Sequence, residues 1–486
     1  MKKTLLNLLV ITCIGNISNA QPWSQTNVDP NTGQEPYEIA SGDIDNDGDI
    51  DLVMATYDYN GGTPTQDYIK WYSNDGSGGY TVETPEVSTT MQWIDGLIVV
   101  DLNNDGYDDI VATSVNQNKI VYFLSQHDGM GTFTGIGPET PVGVGTVVGP
   151  GNVVAGDINK DNHVDLVTIS YDNNRVIWYR GDGAGGFVLQ TYIDDNDCLT
   201  CLGAYYVDVG DFDNDDDLDV VVGYVDSQSI EIFYNEYDDM DVDPPSSVTW
   251  LRDTVPVDTG GTFLFVVTAG DVNNDNIDEV VSVDFSAGEV NYFDKIKNGA
   301  STKNTICDGT IITNPASVFV ADLDNDTLND VIVTDGGSAD EAMIWFKGNS
   351  MTSPDAVQTL IFDNGSVMYD ITVGDFDNDA LNDLDIATIG NTTDTVDWYE
   401  NVLNVLSIND PTIQNISIYP NPAKDQLNFK GLSNQDYNVS VTDLLGKNIL
   451  NETVNSIRGL DISNLNSGMY IINFVDTNSS FKFVKE

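Results

Sequence analysis

Seven nine-residue segments of this 486-residue chain set oxygen-bearing side chains where a hard cation could take them. They read DIDNDGDID, DLNNDGYDD, DINKDNHVD, DFDNDDDLD, DVNNDNIDE, DLDNDTLND and DFDNDALND. Positions 1, 3, 5 and 9 always carry Asp, Asn or Glu, and position 2 is always apolar. The candidate ligands are Asp43, Asp45, Asp47 and Asp51 in the first loop, Asp101, Asn103, Asp105 and Asp109 in the second, and Asp157, Asn159, Asp161 and Asp165 in the third. Asp211, Asp213, Asp215 and Asp219 follow in the fourth, Asp271, Asn273, Asp275 and Glu279 in the fifth, Asp322, Asp324, Asp326 and Asp330 in the sixth, and Asp375, Asp377, Asp379 and Asp383 in the seventh. Calcium takes six to eight oxygens at about 2.3–2.6 Å, from carboxylates, amides, backbone carbonyls and water. On a tight loop alternate residues turn inward, position 7 can lend its carbonyl, and the ion neutralises a crowd of like charge. Up to seven calcium sites are therefore expected. Loops one, two and four fit best: Gly48 and Gly106 sit where the chain must turn sharply, whereas Thr327 and Ala380 take that place in loops six and seven. An EF-hand would need a bidentate Glu at position 12 and flanking helices; here position 12 is Met54 in the first loop and Thr168 in the third.

The elements that hold these loops follow from their flanks. The loops recur at steps of 51 to 60 residues, the mark of an array or a propeller. An apolar run precedes each loop (LIVVD, VFVAD) and another follows it (DLVMAT, DVVVGY). An aromatic pair comes next: Trp71-Tyr72, Tyr122-Phe123, Trp178-Tyr179, Phe233-Tyr234, Tyr292-Phe293, Trp345-Phe346 and Trp398-Tyr399. In the first three units a Gly-rich turn suited to a hairpin follows. Each unit thus reads as four short strands with the acidic loop between the first and second, and no helical periodicity appears. The pattern predicts an all-β chain: a seven-bladed β-propeller followed by a small C-terminal β-sandwich. The seventh unit stops one strand short, and Trp23 to Val28 is expected to complete it, leaving no open sheet edge. One ring of each aromatic pair is expected to pack between blades.

Composition narrows the function classes. Eighteen Lys plus Arg stand against 78 Asp plus Glu, a formal net charge of −60, which repels nucleic acid and attracts cations. Lys2 and Lys3, the apolar run Leu5 to Ile14, and Ser18-Asn19-Ala20 read as a secretory signal over residues 1–20. No later segment is apolar for long enough to span a bilayer as a helix. Of the remaining cysteines, Cys198 and Cys201 form a CLTC pair suited to a local disulfide, and Cys307 is left over. With only His127 and His163 in the chain, a zinc site lacks ligands. Residues 402–412 read as a linker and 413–486 as alternating strands with turns at Gly446 and Gly468.

Residues 21–401 resemble the FG-GAP/VCBS repeat family, whose best-known members are the propellers of integrin α subunits. The DxDxDGxxD core between two strands and the WY…DG.G.F element carry the likeness; the literal FG and GAP strings are missing, so the bacterial VCBS branch is the nearer one. In that family the aspartates bind calcium. The role carries over unchanged to Asp43, Asp45, Asp47 and Asp51, and nearly as well to Asp101, Asp105, Asp109, Asp211, Asp213, Asp215 and Asp219. The tail is similar to the C-terminal sorting domain of the type IX secretion system of Bacteroidetes. The matching pieces are Tyr419-Pro420-Asn421-Pro422, Gly446-Lys447, Leu465, Gly468-Met469-Tyr470, and the basic residues Lys482 and Lys485. That resemblance implies a partner, the type IX secretion machinery, and a destination outside the cell or on its surface by way of the periplasm.

The functional expectation is a secreted, calcium-binding module for extracellular binding or adhesion, taking a glycan or a surface protein. Recognition is expected on the face opposite the calcium loops, where the CLTC segment should also lie; the acidic stretch at 235–245 should lie with the metals. The alternative is a polysaccharide-active enzyme, a lyase or hydrolase on a propeller scaffold. Two histidines, one inside a metal loop, give such an enzyme little acid–base material, and no catalytic residue is assigned.

Overall fold

The computed structural model describes residues 23–57, 67–195, 201–236, 248–253, 257–258, 264–309, 312–337, 342–348, 358–363, 367–378, 383–401, 417–419, 421–430, 437–443, 447–455, 459–466, 468–474 and 479–485. The signal segment 1–20, the linker 402–412, Cys198, Asp379, Ala380, Pro420, Gly446 and most of the acidic stretch 235–245 lie outside the described residues. Contacts divide the chain into two units, residues 1–401 and 402–486.

The first unit contains seven antiparallel sheets built on four successive strands, which follow chain order in six of them. In the first, Pro36–Gly42, Asp51–Thr56, Asp67–Asn74 and Tyr80–Val82 pair successively, and Ser88–Met91 adds to the third strand. The inner strands of the other sheets are Ile94–Val100, Val153–Gly156, Ala204–Gly210, Leu264–Gly270, Pro315–Ala321 and Ile371–Gly374. Each touches the next, and the last touches Pro36–Gly42, so the seven close a circuit around an axis. The unit is a β-propeller. Its final sheet is completed from the N-terminus: Trp23–Asp29 pairs antiparallel with Thr395–Asn401, and Gln25 and Asn27 donate side-chain hydrogen bonds to Asp397 at 3.1 and 2.8 Å.

The second strand of each sheet is buried on both faces, as DLVMAT, DIVATS and DVVVGY predict. All fourteen rings of the aromatic pairs are buried, not one of each two. Successive residues of a strand face opposite ways, so each pair serves two clusters. Trp71 packs with Phe123 of the next sheet, while Tyr72 packs with Trp398 of the previous one. Cross-strand register corrects one assignment. Tyr72, Phe123 and Tyr179 stand opposite the residue after the loop's last carboxylate, and so does Phe233. The fourth sheet's equivalent pair is therefore Ile232-Phe233; Tyr234 lies one residue further on and donates its hydroxyl to Asp253 at 3.1 Å. The second sheet also departs from the simple pattern. Its Gly-rich turn closes a separate hairpin, Ser125–His127 with Phe133–Ile136, and Thr140–Val142 supplies the fourth strand.

In the second unit, Ser417–Tyr419, Gln426–Lys430 and Leu460–Asp461 form one sheet, and Asn448–Val454, Tyr437–Asp443, Gly468–Phe474 and Ser479–Lys485 form another. Leu427, Phe429, Val439, Val441, Ile472 and Phe483 share the core between them. Asn421 ties the start to the end, accepting from Val484 N–H at 2.9 Å and donating to the Lys482 carbonyl at 3.1 Å.

Candidate metal centres

Each acidic loop leaves the end of an inner strand and re-enters the sheet as the second strand, so all seven open on one face of the ring. Position 1 folds the loop. Asp43 accepts the N–H of Asp47 on Oδ1 at 3.1 Å and that of Gly48 on Oδ2 at 3.0 Å; Asp101, Asp157, Asp211, Asp271 and Asp322 make the same pair of bonds. Two residues turn left-handed to allow this. Position 4 has positive φ in all seven loops, 55° at Asn46 and 48° at Asn378. Position 6 does so wherever it is described, including Thr327 at 72°, a conformation that costs a β-branched residue energy.

Position 9 anchors the loop to the sheet. Asp51 accepts Ile44 N–H at 3.1 Å and Asn74 N–H at 2.8 Å, joining its own loop to the third strand. Asp109, Asp165, Asp219 and Asp330 repeat this double bond. In the seventh loop Asp385 does so, accepting from Phe376 at 3.0 Å and Asn401 at 2.7 Å. The place expected of Asp383 is therefore taken by Asp385: this loop is two residues longer, and the second strand begins at Asp385. Burial pushes these carboxyls up, to about 8 at Asp51, Asp219 and Asp385 and about 7 at Asp109, Asp165 and Asp330.

Position 3 completes the cluster. Ligand oxygens of Asp43, Asp45 and Asp51 lie within 4.8 Å of one another, as do those of Asp211, Asp213 and Asp219, of Asp322, Asp324 and Asp330, and of Asp375, Asp377 and Asp385. Asp45, Asp213 and Asp324 each hold a buried Oδ1 with no hydrogen-bond donor. Burial, then the charges of Asp47 and Asp43, raises Asp45 to about 6. Buried carboxylate oxygens gathered without donors suit a hard cation. Where position 3 is an amide the loop partly satisfies itself: Asn273 donates to Glu279 Oε1 at 2.6 Å and to Asp294 at 2.9 Å, and Asn159 donates to Asp161 at 3.0 Å. Lysines lean on two loops, Lys297 on Asp213 and Lys347 on Asp324 and Asp326. Three-carboxylate convergence thus falls in loops one, four, six and seven; loop two, expected among the best, has Asn103 in that place.

Positions 4 and 8, not singled out from the sequence, join the loops into a rim. Asp108 Oδ2 accepts Asp43 N–H at 2.9 Å and its own N–H reaches the Asp43 carbonyl at 3.0 Å; Asp278 and Asp211 do the same at 3.0 and 3.1 Å. Asn329 donates to the Asp271 carbonyl at 2.9 Å. Asn378 of the seventh loop donates to Asp49 of the first at 3.0 Å, linking the last loop to the first. The signal was present: six of seven fourth positions are Asn, the residue besides Gly that most readily turns left-handed. Among the cysteines, Cys201 is disulfide-bonded and Cys307 is a buried free thiol.

Comparison with known proteins agrees with this division. Residues 43–112, 101–168 and 157–222 match the FG-GAP-like repeat, each span running from one acidic loop into the second strand of the next sheet. Residues 417–486 match the secretion system C-terminal sorting domain. No curated protein matches the sequence. Among solved structures, the chain is similar to BBS1N, crystallised in complex with ARL6DN and soaked with lead, at 11% identity and TM-score 0.49, covering 78% of this chain and 97% of that one. It is also similar to a mutant of AofleA from Arthrobotrys oligospora, at 9% identity and TM-score 0.43, covering 71% and 90%.

Proposed function

The chain carries FG-GAP-like repeats and ends in a secretion system C-terminal sorting domain, and from that premise we propose that it is an exported, calcium-stabilised binding module whose propeller docks a glycan or a surface protein. The sorting domain gives the route, export by type IX secretion to the cell surface or the extracellular space, where free calcium is abundant. No helix among the described residues is long and apolar enough to cross a membrane. The observation that carries the calcium reading is the set of buried, donor-less Oδ1 atoms of Asp45, Asp213 and Asp324, each within a three-carboxylate cluster. Positions 1, 3 and 9 would hold the ion, with position 5 and the position-7 carbonyl able to complete it. Once bound, calcium supplies neutralising charge. The protein's own part is to set the loop with the position-1 clamp, to fix the ninth carboxylate against the third strand, and to brace neighbouring loops. Asp47, Asp105, Asp161, Asp215, Asp275, Asp326 and Asp379 are proposed as fifth-position ligands on the same logic.

Such sites are structural, and nothing in them calls for a reaction; we propose a non-enzymatic role. A glycan and surface-protein array, probed with the purified chain in millimolar calcium and again in chelator, tests the reading. Calcium-dependent capture of a defined ligand is the expected result. Turnover of a polysaccharide with no stable capture would replace this reading with the enzymatic one.

A further inference from the structure

Along the ring axis, from the end opposite the acidic loops as far as Ser41 and Val99 just before them, runs a cavity of about 390 Å³, within the range of roughly 300–1,000 Å³ usual for small-ligand sites. The inner strands of all seven sheets line it. Five of these strands shift register at this end, and the skipped residues include Tyr37, Asp95 and Tyr205. Such bulges re-aim side chains at barrel rims. Four carboxylates line the cavity, Glu38, Asp95, Asp208 and Asp370, and among the described lining residues none is Lys, Arg or His. Asp370 is held by the N–H groups of Ile39 at 3.0 Å and Ile371 at 2.9 Å. Asp95 takes a hydrogen bond from the Tyr205 hydroxyl, yet it is only 6% exposed and its Oδ2 has no donor. Burial raises Asp95 and Asp370 to about 7 and Glu38 well above its usual range. Tyr37, Tyr206 and Tyr369 line the cavity too, with further rings beside them: Tyr37 lies 5.3 Å from Tyr369 and 4.8 Å from Tyr57, and Tyr205 lies 5.0 Å from Tyr206, between ring centroids.

We infer that this mouth is a binding site for an organic cation, an alkylammonium or guanidinium group, seated on Asp95 with Glu38 and Asp370 behind it and tyrosine faces around it. The inference rests on the proposed binding role and names the chemistry of its ligand. Burial holds these carboxyls partly protonated, and with no base among the described lining residues an incoming cation would draw them into the ionised form, so one sign of ligand is favoured. The alternative of a second metal centre fits poorly. Among the described residues, three-carboxylate clusters tight enough for an ion, within 4.8 Å, are found at the acidic loops and not here, whereas aromatic rings attract an ammonium through their faces.

The cation could come from a free amine or from a side chain of a partner protein. Calorimetric titration of the full chain in millimolar calcium, with putrescine in one arm and acetyl-Gly-Lys-Gly-amide in the other, separates them. Saturable binding is expected in at least one arm, weakened about tenfold or more by Asp95→Asn, and the tighter arm identifies the source. Asp370→Asn is the second variant, and melting of each variant at or above the parent temperature shows that the ring is intact. No saturation in either arm, affinity indifferent to Asp95→Asn, or equal binding of a neutral monosaccharide overturns the inference. If an array ligand is found that is insensitive to Asp95→Asn, the site inference falls while the proposed function stands. If the array finds no ligand, the proposed function falls whatever the amines do.

Discussion

Asp45 and Asp51 stand six residues apart in one loop and do different work. Asp51 holds two backbone N–H groups, so its removal leaves buried donors unmet, at a cost of about 1–3 kcal/mol each. Asp45 has a buried oxygen with no donor, so its contribution should appear only with the ion. Asp51→Ala is therefore expected to lower the melting temperature in calcium and in chelator alike. Asp45→Ala should lower it only in calcium, by the equivalent of about 1.4 kcal/mol at ten times the site's Kd. Equal losses for Asp45→Ala in both buffers would show that position 3 serves folding alone. Asp95 gives a pH test independent of the loops. Its native carboxyl sits at about 7 against an ordinary value of 3.8, so the folded state binds the proton more tightly. The stability this gives is complete at low pH and is lost as pH rises through about 7. Asp95→Asn should match the parent near pH 4 and exceed it at pH 8, by no more than about 4 kcal/mol. Thermal melts across that range at fixed calcium would show the gap opening with pH.

The element with most leverage is the strand Trp23–Asp29. It covers the edge of Thr395–Asn401 and brings Asp29 to Lys70 Nζ and to the Tyr72 hydroxyl, both at 3.1 Å, so it links the last sheet to the first. A chain starting at residue 30 should melt well below one starting at residue 21 and scatter light as its open edge pairs between molecules. A peptide of residues 21–30 in excess should restore part of the loss. Coincident melts would mean the ring needs no closing strand. This strand was legible from the sequence because the seventh unit is visibly one strand short. The acidic loops were legible for a related reason: side chains that clamp and anchor a loop must recur at fixed spacing, whatever surrounds it. The fourth sheet's aromatic register was not, because Phe233-Tyr234 imitates the pair while Ile232-Phe233 occupies its place. The seventh loop misled similarly: Asp383 keeps the nine-residue spacing, but the strand starts at Asp385. The amine-binding mouth left no sequence signal. Its residues come from separate sheets, and bulges that periodicity cannot foresee carry Tyr37 and Asp95 into the lining.

At the scale of the molecule, a formal charge of −60 presses outward on the ring, and compactness then depends on what neutralises the rim. Two contributions can be separated. Diffuse screening acts on exposed charges beyond a Debye length, about 8–10 Å near physiological salt, and any salt supplies it. Site binding acts on buried carboxylates that a sodium atmosphere does not reach. Four clusters of three carboxylates, at about 1.4 kcal/mol each at ten times Kd, amount to roughly 6 kcal/mol, and seven occupied loops to about 10. Either figure is comparable to the whole stability of an ordinary domain, about 5–15 kcal/mol. Melting in chelator, in sodium chloride and in millimolar calcium chloride at matched ionic strength should therefore give a modest rise with salt and a much larger one with calcium. Magnesium should fall between them, since it demands a stricter octahedron and keeps its waters. The calcium increment should shrink stepwise as Asp45→Ala, Asp213→Ala and Asp324→Ala are combined, and nearly additively, since each change lies in a different loop. If sodium at equal ionic strength reproduces the full calcium effect, the acidic rim is merely screened, and the loops hold their shape through hydrogen bonds alone.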